Sequence, residues 1–323
     1  MSNKKIPFFT ICTEVNNREK TIERTMQSIA TQDFSDYEYI IFDNCSEDKS
    51  GEVILSFLKN NINFNSKTTF IKSDKKLQDI ASWNKPLEIA RGKFIVVCEG
   101  DDWFESNHLS LAHKVLNSNH GVGMYISLRA DLHNFQGKNV VSEEYYGYLN
   151  SSYVFQNLIS FDFIPPPSNV IFRRELNGFH FTYDSKNYVY AGEMSLYYEL
   201  LIKNLDVYVN YNALTVNRGF SSYRRAYFHV KDQYFSFNKW LKNGHYIDNQ
   251  KIIRTKLFKS SLLIFFHQLI KFYFEKEMYV HLLAEAPKLG LLNSTIIFVS
   301  SLINFILLYL KRLFNYIVKK IYK

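Results

Sequence analysis

The sequence predicts an α/β fold in which a mostly parallel sheet is flanked by helices. Three observations support this prediction. Short apolar runs alternate with amphipathic segments over residues 6–105, the 323-residue chain is 46% hydrophobic, and it contains only 12 glycines and 6 prolines. Strands that alternate with helices favour parallel pairing, with helices covering both faces of the sheet. The composition excludes a disordered, collagen-like or low-complexity chain.

Seven elements are expected in the first third of the chain. Each predicted helix repeats apolar or small residues at helical spacing, and each predicted strand is a short, mostly apolar run. In chain order these elements are strand 7–13, helix 18–31, strand 37–42, helix 46–59, strand 70–71, helix 77–90 and strand 93–98.

The remaining chain is less regular. A helix is expected at 108–116, strands at 122–128 and 169–172, and another helix from about Gly192, with Leu196, Leu200 and Leu201 facing inward. Three prolines at 165–167 exclude a helix or a central strand there, and with Ser168 they would shape a pocket or form a turn. The predicted regions are an α/β domain at 1–225, a helical region at 226–290 and a terminal helix at 291–323.

Polar side chains follow three of the predicted strands where each strand ends. In chain order they are Thr13 and Glu14, Asp43 and Asn44, and Glu99 with Asp101 and Asp102. Ligands of open parallel sheets bind beyond the carboxyl ends of the strands. The sequence therefore predicts a binding site at this rim of the sheet.

The stretch FIVVCEGDDWFE, residues 94–105, places three carboxylates directly after an apolar strand. Hard divalent cations prefer oxygen ligands, and Mg²⁺ or Mn²⁺ commonly takes one or two protein carboxylates together with phosphate oxygens. Glu99 and Asp101, two residues apart on a turn, would reach the same ion. The alternative is an acidic turn in which Asp101 or Asp102 caps the next helix.

A second polar cluster lies in IIFDNCSEDKSGEV, residues 40–53. Ser46, Glu47 and Asp48 have the composition of a helix N-terminus, so capping and dipole compensation would explain much of this stretch. Asp43 precedes that cap. A carboxylate at a strand end would accept hydrogen bonds from a nucleotide base or a ribose.

These stretches resemble a known family. FFTICTEVNNREKTIERTMQSIATQDFSDYEYIIFDNCSED is similar to the opening of family 2 glycosyltransferases with the GT-A fold, and IARGKFIVVCEGDDW is similar to the segment that carries their DXD motif. The resemblance covers roughly residues 6–225 and implies a Rossmann-like GT-A sheet. It implies that Asp43 contacts the base and that Glu99 and Asp101 hold Mn²⁺ or Mg²⁺ against the diphosphate. Thr13, Glu14 and Asn44 are expected to contact the donor.

The same resemblance implies a catalytic base. Family members place it in an acidic pair at the start of a helix, and AGEMSLYYELLIKN occupies that place, which puts the base at Glu193. Glu193 would take the proton of the acceptor hydroxyl in an inverting displacement; dipole compensation is the alternative. Basic residues that would grip phosphates, or remain solvated surface charges, are Arg218, Arg224, Arg225, Lys72, Lys75 and Lys76.

The end of the chain suggests a membrane partner. Residues 289–310 are uncharged over a length that could span a bilayer, and a basic tail follows. A polar stripe through Asn293, Ser300 and Asn304 favours a helix lying on the anionic inner face of the cell membrane. A single span, or a bundle or homo-oligomer interface, is the alternative.

The remaining features indicate the compartment and the partners. The N-terminus lacks the apolar run of a signal peptide, and the spacing of Cys12, Cys45 and Cys98 suggests reduced thiols rather than a disulfide framework or a zinc site. Both favour the cytoplasm. The net charge of +8 favours an anionic partner. Nucleic acid is disfavoured, because the basic tail is interleaved with aliphatic residues rather than with stacking aromatic ones.

Together these features predict a metal-dependent inverting glycosyltransferase. It would move a sugar from a nucleotide donor, with a UDP-sugar as the favoured donor, to a surface-polysaccharide or lipid-linked glycan. A sugar nucleotidyltransferase uses a similar sheet and metal, but such enzymes usually carry a glycine-rich loop after the first strand, and CTEVNNREK has no glycine. A membrane-docked scaffold that kept the fold and lost the activity is the other alternative.

Overall fold

A computed structural model describes residues 5–131, 147–149, 167–176, 179–180, 196–197, 199–200, 203 and 205–217. The predictions for Glu193, Arg218, Arg224 and Arg225, and those for the regions 226–290 and 291–323, lie outside these residues.

The described elements alternate between strand and helix through the first half of the chain. In chain order they are β1 (Phe9–Val15), α1 (Ile22–Ala30), β2 (Tyr37–Asp43), α2 (Ser50–Asn60), α3 (Ile62–Asn65), β3 (Thr68–Lys72), α4 (Asp79–Ile89), β4 (Phe94–Val97), β5 (Trp103–Phe104), α5 (His108–Ser118), β6 (Val122–Asp131), β7 (Gly147–Leu149), β8 (Val170–Arg173), β9 (Glu175–Leu176), β10 (Phe179–His180) and β11 (Asp206–Asn217). All seven elements predicted in the first third are present with shifted ends, and α3 and β5 were not predicted.

Nine of these strands form one mixed sheet. Its order is β3-β2-β1-β4-β8-β6-β11-β5, and β7 pairs with β11. Strands β3, β2, β1 and β4 are parallel, whereas β8 runs antiparallel to both β4 and β6. The chain builds β2 and β3 on one side of β1 and then returns to place β4 on the other side. The strand order therefore reverses between β1 and β4, which is where such sheets bind ligands.

The buried face of α1 follows the helical spacing of its apolar residues. On α1, Ile22, Met26 and Ile29 are fully buried, because their spacing puts them on one face of the helix. On the central strands β1 and β4, apolar side chains are buried on both faces of the sheet, as expected for parallel strands with helices on either side. The rim at the carboxyl ends of the strands thus rests on a rigid base.

The segment Ala90–Lys93 forms the corner that leads into β4, and residues of β1 and β2 hold it in place. Arg91 pairs with Glu38, and Glu38 also accepts a 2.7 Å hydrogen bond from the Thr10 hydroxyl. The same hydroxyl accepts the Gly92 N–H at 2.7 Å. A Cβ on Gly92 would lie 2.4 Å from the Thr10 backbone nitrogen, so only glycine fits there. This corner lies at the opposite end of β4 from the acidic turn and fixes that strand in the sheet.

The structure corrects two predictions of helix caps. Helix α2 begins at Ser50 rather than at Ser46, and α5 begins at His108, with β5 between it and Asp102. The Ser46 hydroxyl instead accepts the Asn17 N–H at 3.0 Å, which joins the β1–α1 loop to the β2–α2 loop. Neither Asp101 nor Asp102 is a helix cap, so their carboxylates require another explanation.

Two further points concern the thiols and the membrane. Cys12, Cys45 and Cys98 are all free thiols, as predicted. In the part of the chain that the structure describes, no helix has both the length and the apolar character needed to cross a bilayer.

Candidate active site

The acidic turn lies directly after β4, at the point where the strand order reverses. It is closed by a 2.9 Å hydrogen bond from the Asp102 N–H to the Glu99 carbonyl, and the Glu99 N–H donates to the Ser168 hydroxyl at 2.9 Å. Glu99, Asp101 and Asp102 each offer a carboxylate oxygen within 4.8 Å of the others. Glu99 and Asp101 are half-buried, whereas Asp102 is only 2% exposed. Three carboxylates are thus gathered at one point of the rim.

Helix α1 and the residue before it hold the backbone of this turn in place. The Thr21 hydroxyl donates to the Gly100 carbonyl at 2.8 Å, and one turn later the Thr25 hydroxyl donates to the Asp102 carbonyl at 2.8 Å. Both bonds connect residues that are far apart in the sequence. These two hydrogen bonds preorganise the carboxylates, because the turn cannot rotate without breaking the bonds.

The electrostatics of the turn are strongly negative. Burial, and after it the charges of Asp102, Glu99 and Asp101, raise the pKa of the Cys98 thiol well above its usual value. The Arg18 guanidinium offsets part of this charge, since its Nε lies 3.4 Å from Asp101 Oδ2. A cation that enters the turn therefore meets an attractive field.

Asp43 ends β2 on the same rim and is fully buried. Its Oδ1 accepts the Ser46 N–H at 2.9 Å, but its Oδ2 has no hydrogen-bond partner among the described residues. A methyl group on Gly51 would lie 3.5 Å from Asp43 Oδ2 and 3.7 Å from Lys72 Nζ, so all three residues border one small space. A buried carboxylate oxygen without a partner is costly, which suits a position where a ligand supplies the missing donor.

Asn44 and Glu14 connect the strand ends to one another. The Asn44 side-chain amide donates to Glu14 Oε1 at 3.0 Å and to the Leu77 carbonyl at 3.2 Å, and its oxygen accepts the Leu77 N–H at 2.7 Å. Glu14 Oε1 also accepts the Ser82 hydroxyl at 3.2 Å. These bonds tie β1, β2 and the start of α4 together. The donor contacts predicted for Asn44 and Glu14 remain predictions.

The other predicted residues have structural contacts. Thr13 is fully buried and accepts the Tyr39 hydroxyl at 3.0 Å, so it lies beneath the rim. Lys76 donates to the Asn16 side chain at 3.0 Å, while Lys75 is exposed. The donor contact predicted for Thr13 and the phosphate contacts predicted for Lys75 and Lys76 also remain predictions.

The structure brings most of the predicted site to one edge of the sheet. The residues at this edge are Glu14, Asp43, Asn44, Glu99 and Asp101, with Thr13 buried beneath them. The described basic residues Lys72, Lys75 and Lys76 lie at and after the end of β3. The structure adds two residues that the sequence prediction missed. Asp102 was placed on the rim but not among the predicted metal ligands, because a helix cap was the alternative for Asp101 or Asp102; its position in the DXDD-like run was the signal. Arg18 had no local signal, because its partner Asp101 is remote in the sequence.

Comparison with known proteins identifies the family. The model of glycosyl transferase family 2 matches residues 10–262. Among curated proteins, GalNAc(5)-diNAcBac-PP-undecaprenol beta-1,3-glucosyltransferase of Campylobacter jejuni is 28% identical over 105 residues, which are 32% of this chain and 33% of that protein. The first curated relatives are likewise matched over only 30–39% of their lengths.

Solved structures show the same architecture. The mannosyltransferase PcManGT of Pyrobaculum calidifontis, in complex with GDP-Man and Mn²⁺, aligns over 93% of this chain and 81% of its own, with a TM-score of 0.62 and 14% identity. Residues 1–349 of Staphylococcus aureus TarS, in complex with UDP, align over 71% of this chain and 64% of that one, with a TM-score of 0.54 and 16% identity. The predicted GT-A, Rossmann-like fold is confirmed. The helical C-terminal extension lies outside the described residues.

Proposed function

The chain belongs to glycosyl transferase family 2, and we propose that it transfers a sugar from a UDP-sugar to a hydroxyl of a surface-polysaccharide or lipid-linked glycan, with inversion at the anomeric carbon. The observation that carries the proposal is the acidic turn after β4, where the strand order reverses. There three carboxylates offer oxygens within 4.8 Å of one another. The buried Asp43 lies on the same rim. In a nucleotide sugar, the diphosphate would bind at the acidic turn through a cation, and the base would bind beside Asp43.

The acidic turn suits a hard divalent cation. Glu99, Asp101 and Asp102 offer only oxygen ligands, which Mg²⁺ and Mn²⁺ prefer, and they would hold the ion. When bound, such an ion neutralises charge on the departing nucleoside diphosphate. The complex of PcManGT with GDP-Man and Mn²⁺ supports this assignment.

The space beside Asp43 suits the edge of a uracil base. Asp43 Oδ2 would accept the imide N–H, and Lys72, whose ammonium borders the same space, would donate to an adjacent base carbonyl. The carboxylate would then gain the partner that it lacks among the described residues. The UDP complex of TarS supports UDP as the nucleotide. A guanine base also has an N–H beside a carbonyl, so GDP-sugars are the competing donors.

The chemistry at the acceptor is assigned to Glu193. It would take the proton of the acceptor hydroxyl as that oxygen attacks the anomeric carbon, while Arg218 would contact the phosphates. Both residues lie outside the described part of the chain. Support comes from the helical residues after Glu193, since Leu196 and Leu200 are each 1% exposed, as expected for the inward face of that helix. A base on an anchored helix would keep a fixed position.

The acceptor and the location are assigned from the end of the chain and from one relative. The terminal helix at 291–323 would lie on the inner face of the cell membrane through its apolar face and its basic tail. The name of the Campylobacter jejuni relative contains a PP-undecaprenol glycan, which supports a lipid-linked acceptor. Co-sedimentation with anionic liposomes would test this. The full chain should pellet and a chain ending at residue 290 should not; equal behaviour would contradict the membrane assignment.

The family match favours glycosyl transfer over a sugar nucleotidyltransferase. An inactive scaffold would bind neither UDP nor Mn²⁺ at the rim, so a binding measurement separates it from an enzyme.

The direct test is turnover of a panel of UDP- and GDP-sugars with Mn²⁺ and with EDTA. Chelation should abolish hydrolysis and transfer, and Mn²⁺ should restore them. Asp101→Asn should lower the Mn²⁺-supported rate by about a hundredfold, since it removes a charged ligand from the turn. The control is Glu88→Gln, which removes an exposed carboxylate paired with Lys85 and should behave as the wild type. Undiminished activity in EDTA would overturn the role of the metal.

A further inference from the structure

Arg18, in the loop between β1 and α1, forms an ion pair with the acidic turn. Its Nε is 3.4 Å from Asp101 Oδ2, and the two side chains are 27% and 16% exposed. A Cβ on Gly100 would lie 3.2 Å from Arg18 Cγ, so the aliphatic stem of the arginine covers that glycine. A positive charge is thus held next to one of the three carboxylates.

The surrounding loop fixes Arg18 in this position. Its N–H donates to the Ser50 hydroxyl at 2.7 Å, and Nη1 donates to the Asn16 carbonyl at 3.3 Å. The preceding residue, Asn17, adopts a left-handed conformation with φ of 56° and accepts the Glu47 N–H at 2.9 Å through its side chain. These bonds fix the backbone around Arg18 and hold one nitrogen of its guanidinium.

We propose that Arg18 is a positioning residue that occupies Asp101 as a counter-ion until a cation and a nucleoside diphosphate bind together. This inference rests on the proposed metal-dependent transfer. Among the described residues, Arg18 places a positive charge beside a cluster of three carboxylates. A divalent cation alone has to compete with the guanidinium for Asp101, whereas the negative diphosphate offsets the repulsion between the two cations.

The consequence is a coupling between metal and nucleotide binding. Arg18 weakens the affinity for Mn²⁺ alone more than it weakens the affinity for Mn²⁺ in the presence of the nucleotide. Because coupling free energies are reciprocal, Mn²⁺ raises the nucleotide affinity by the same factor. A residue that only supported the shape of the turn would have the opposite effect, since its loss would weaken Mn²⁺ binding in every state.

The test is the affinity of the full-length protein for Mn²⁺, measured by electron paramagnetic resonance with Mn²⁺ alone and then with saturating UDP. Arg18→Met keeps the aliphatic stem over Gly100 and removes the charge. It should bind Mn²⁺ alone about tenfold more tightly than the wild type, and the enhancement by UDP should fall by a similar factor. Thermal melting of both proteins would confirm that the variant is folded.

Two variants serve as controls. Arg18→Lys retains the charge and should keep the weak binding of Mn²⁺ alone. Arg24→Met removes a neighbouring charge that stacks on Trp103 at 4.4 Å instead of pairing with the turn, and it should leave Mn²⁺ binding unchanged.

Unchanged or weaker binding of Mn²⁺ alone by Arg18→Met would overturn the inference, as would an equal gain from Arg24→Met. Either result would leave the proposed function intact if the wild type still binds Mn²⁺ with UDP. If neither the wild type nor any variant binds Mn²⁺, with or without nucleotide, the metal assignment fails and the inference fails with it.

Discussion

Replacement of His108 by phenylalanine should remove a defined part of the acid sensitivity of the fold. The His108 ring is fully buried, stacks on Phe104 at a centroid distance of 4.2 Å and meets the Tyr125 ring edge-on at 6.4 Å. Neither ring nitrogen has a hydrogen-bond partner among the described residues. Burial lowers the pKa of His108 from 6.5 to about 3, because the protonated ring would lose its hydration.

The sign and size of the effect follow from this shift. A histidine whose pKa is lowered in the fold is protonated more readily in the unfolded chain, so its contribution to stability is complete above pH 6.5 and is lost as the pH falls. Between pH 8 and pH 5 the unfolded chain gains nearly one proton at this site and the folded chain almost none. The loss amounts to about 2 kcal/mol.

The assay is urea unfolding of the wild type and of His108→Phe at pH 8 and pH 5. The free energy of unfolding of the variant should fall by about 2 kcal/mol less than that of the wild type over this interval. His120→Gln, which changes an exposed histidine just after the same helix, should follow the wild type. Equal pH dependence in wild type and His108→Phe would refute the assignment of a buried, neutral His108.

Two further predictions concern the strand corner and the donor site. Gly92→Ala should destabilise the fold by about 3 kcal/mol, because its Cβ would lie 2.4 Å from the Thr10 backbone nitrogen; a loss below about 1 kcal/mol in urea unfolding would contradict this close packing. Asp43→Asn should weaken UDP binding by about 10- to 100-fold in calorimetry, since it replaces a charged acceptor, whereas Asp36→Asn, at an exposed ion pair with Lys5, should not change it. Unaltered UDP affinity of Asp43→Asn would remove Asp43 from the base site.

Local patterns were enough to place the main carboxylates on one rim. Each short apolar run becomes a buried parallel strand, so the residues that follow it meet at the carboxyl edge of the sheet. Asp43 and Glu99 lie there for this reason. The core face of α1 was equally readable, because helical spacing alone selects Ile22 and Met26.

Long-range pairing explains what local patterns missed. Asp102 was left out of the predicted metal ligands, because nothing in the sequence separated it from the next helix and a cap was the alternative. Among the described residues, the intervening strand β5 pairs antiparallel with Thr215 and Val216 of β11, which are remote in the sequence. The Arg18–Asp101 pair likewise joins the β1–α1 loop to the turn after β4. Such contacts depend on strand order, which propensity and spacing do not encode.

The central claim is that the rim between β1 and β4 binds a nucleoside diphosphate together with a divalent cation. Calorimetric titration of UDP into the full-length protein, with Mn²⁺ and with EDTA, tests it most directly. We expect UDP to bind at least about tenfold more tightly with Mn²⁺ than with EDTA, and we expect Asp102→Asn to remove this difference. No binding of UDP or GDP under either condition would contradict the claim and favour an inactive scaffold.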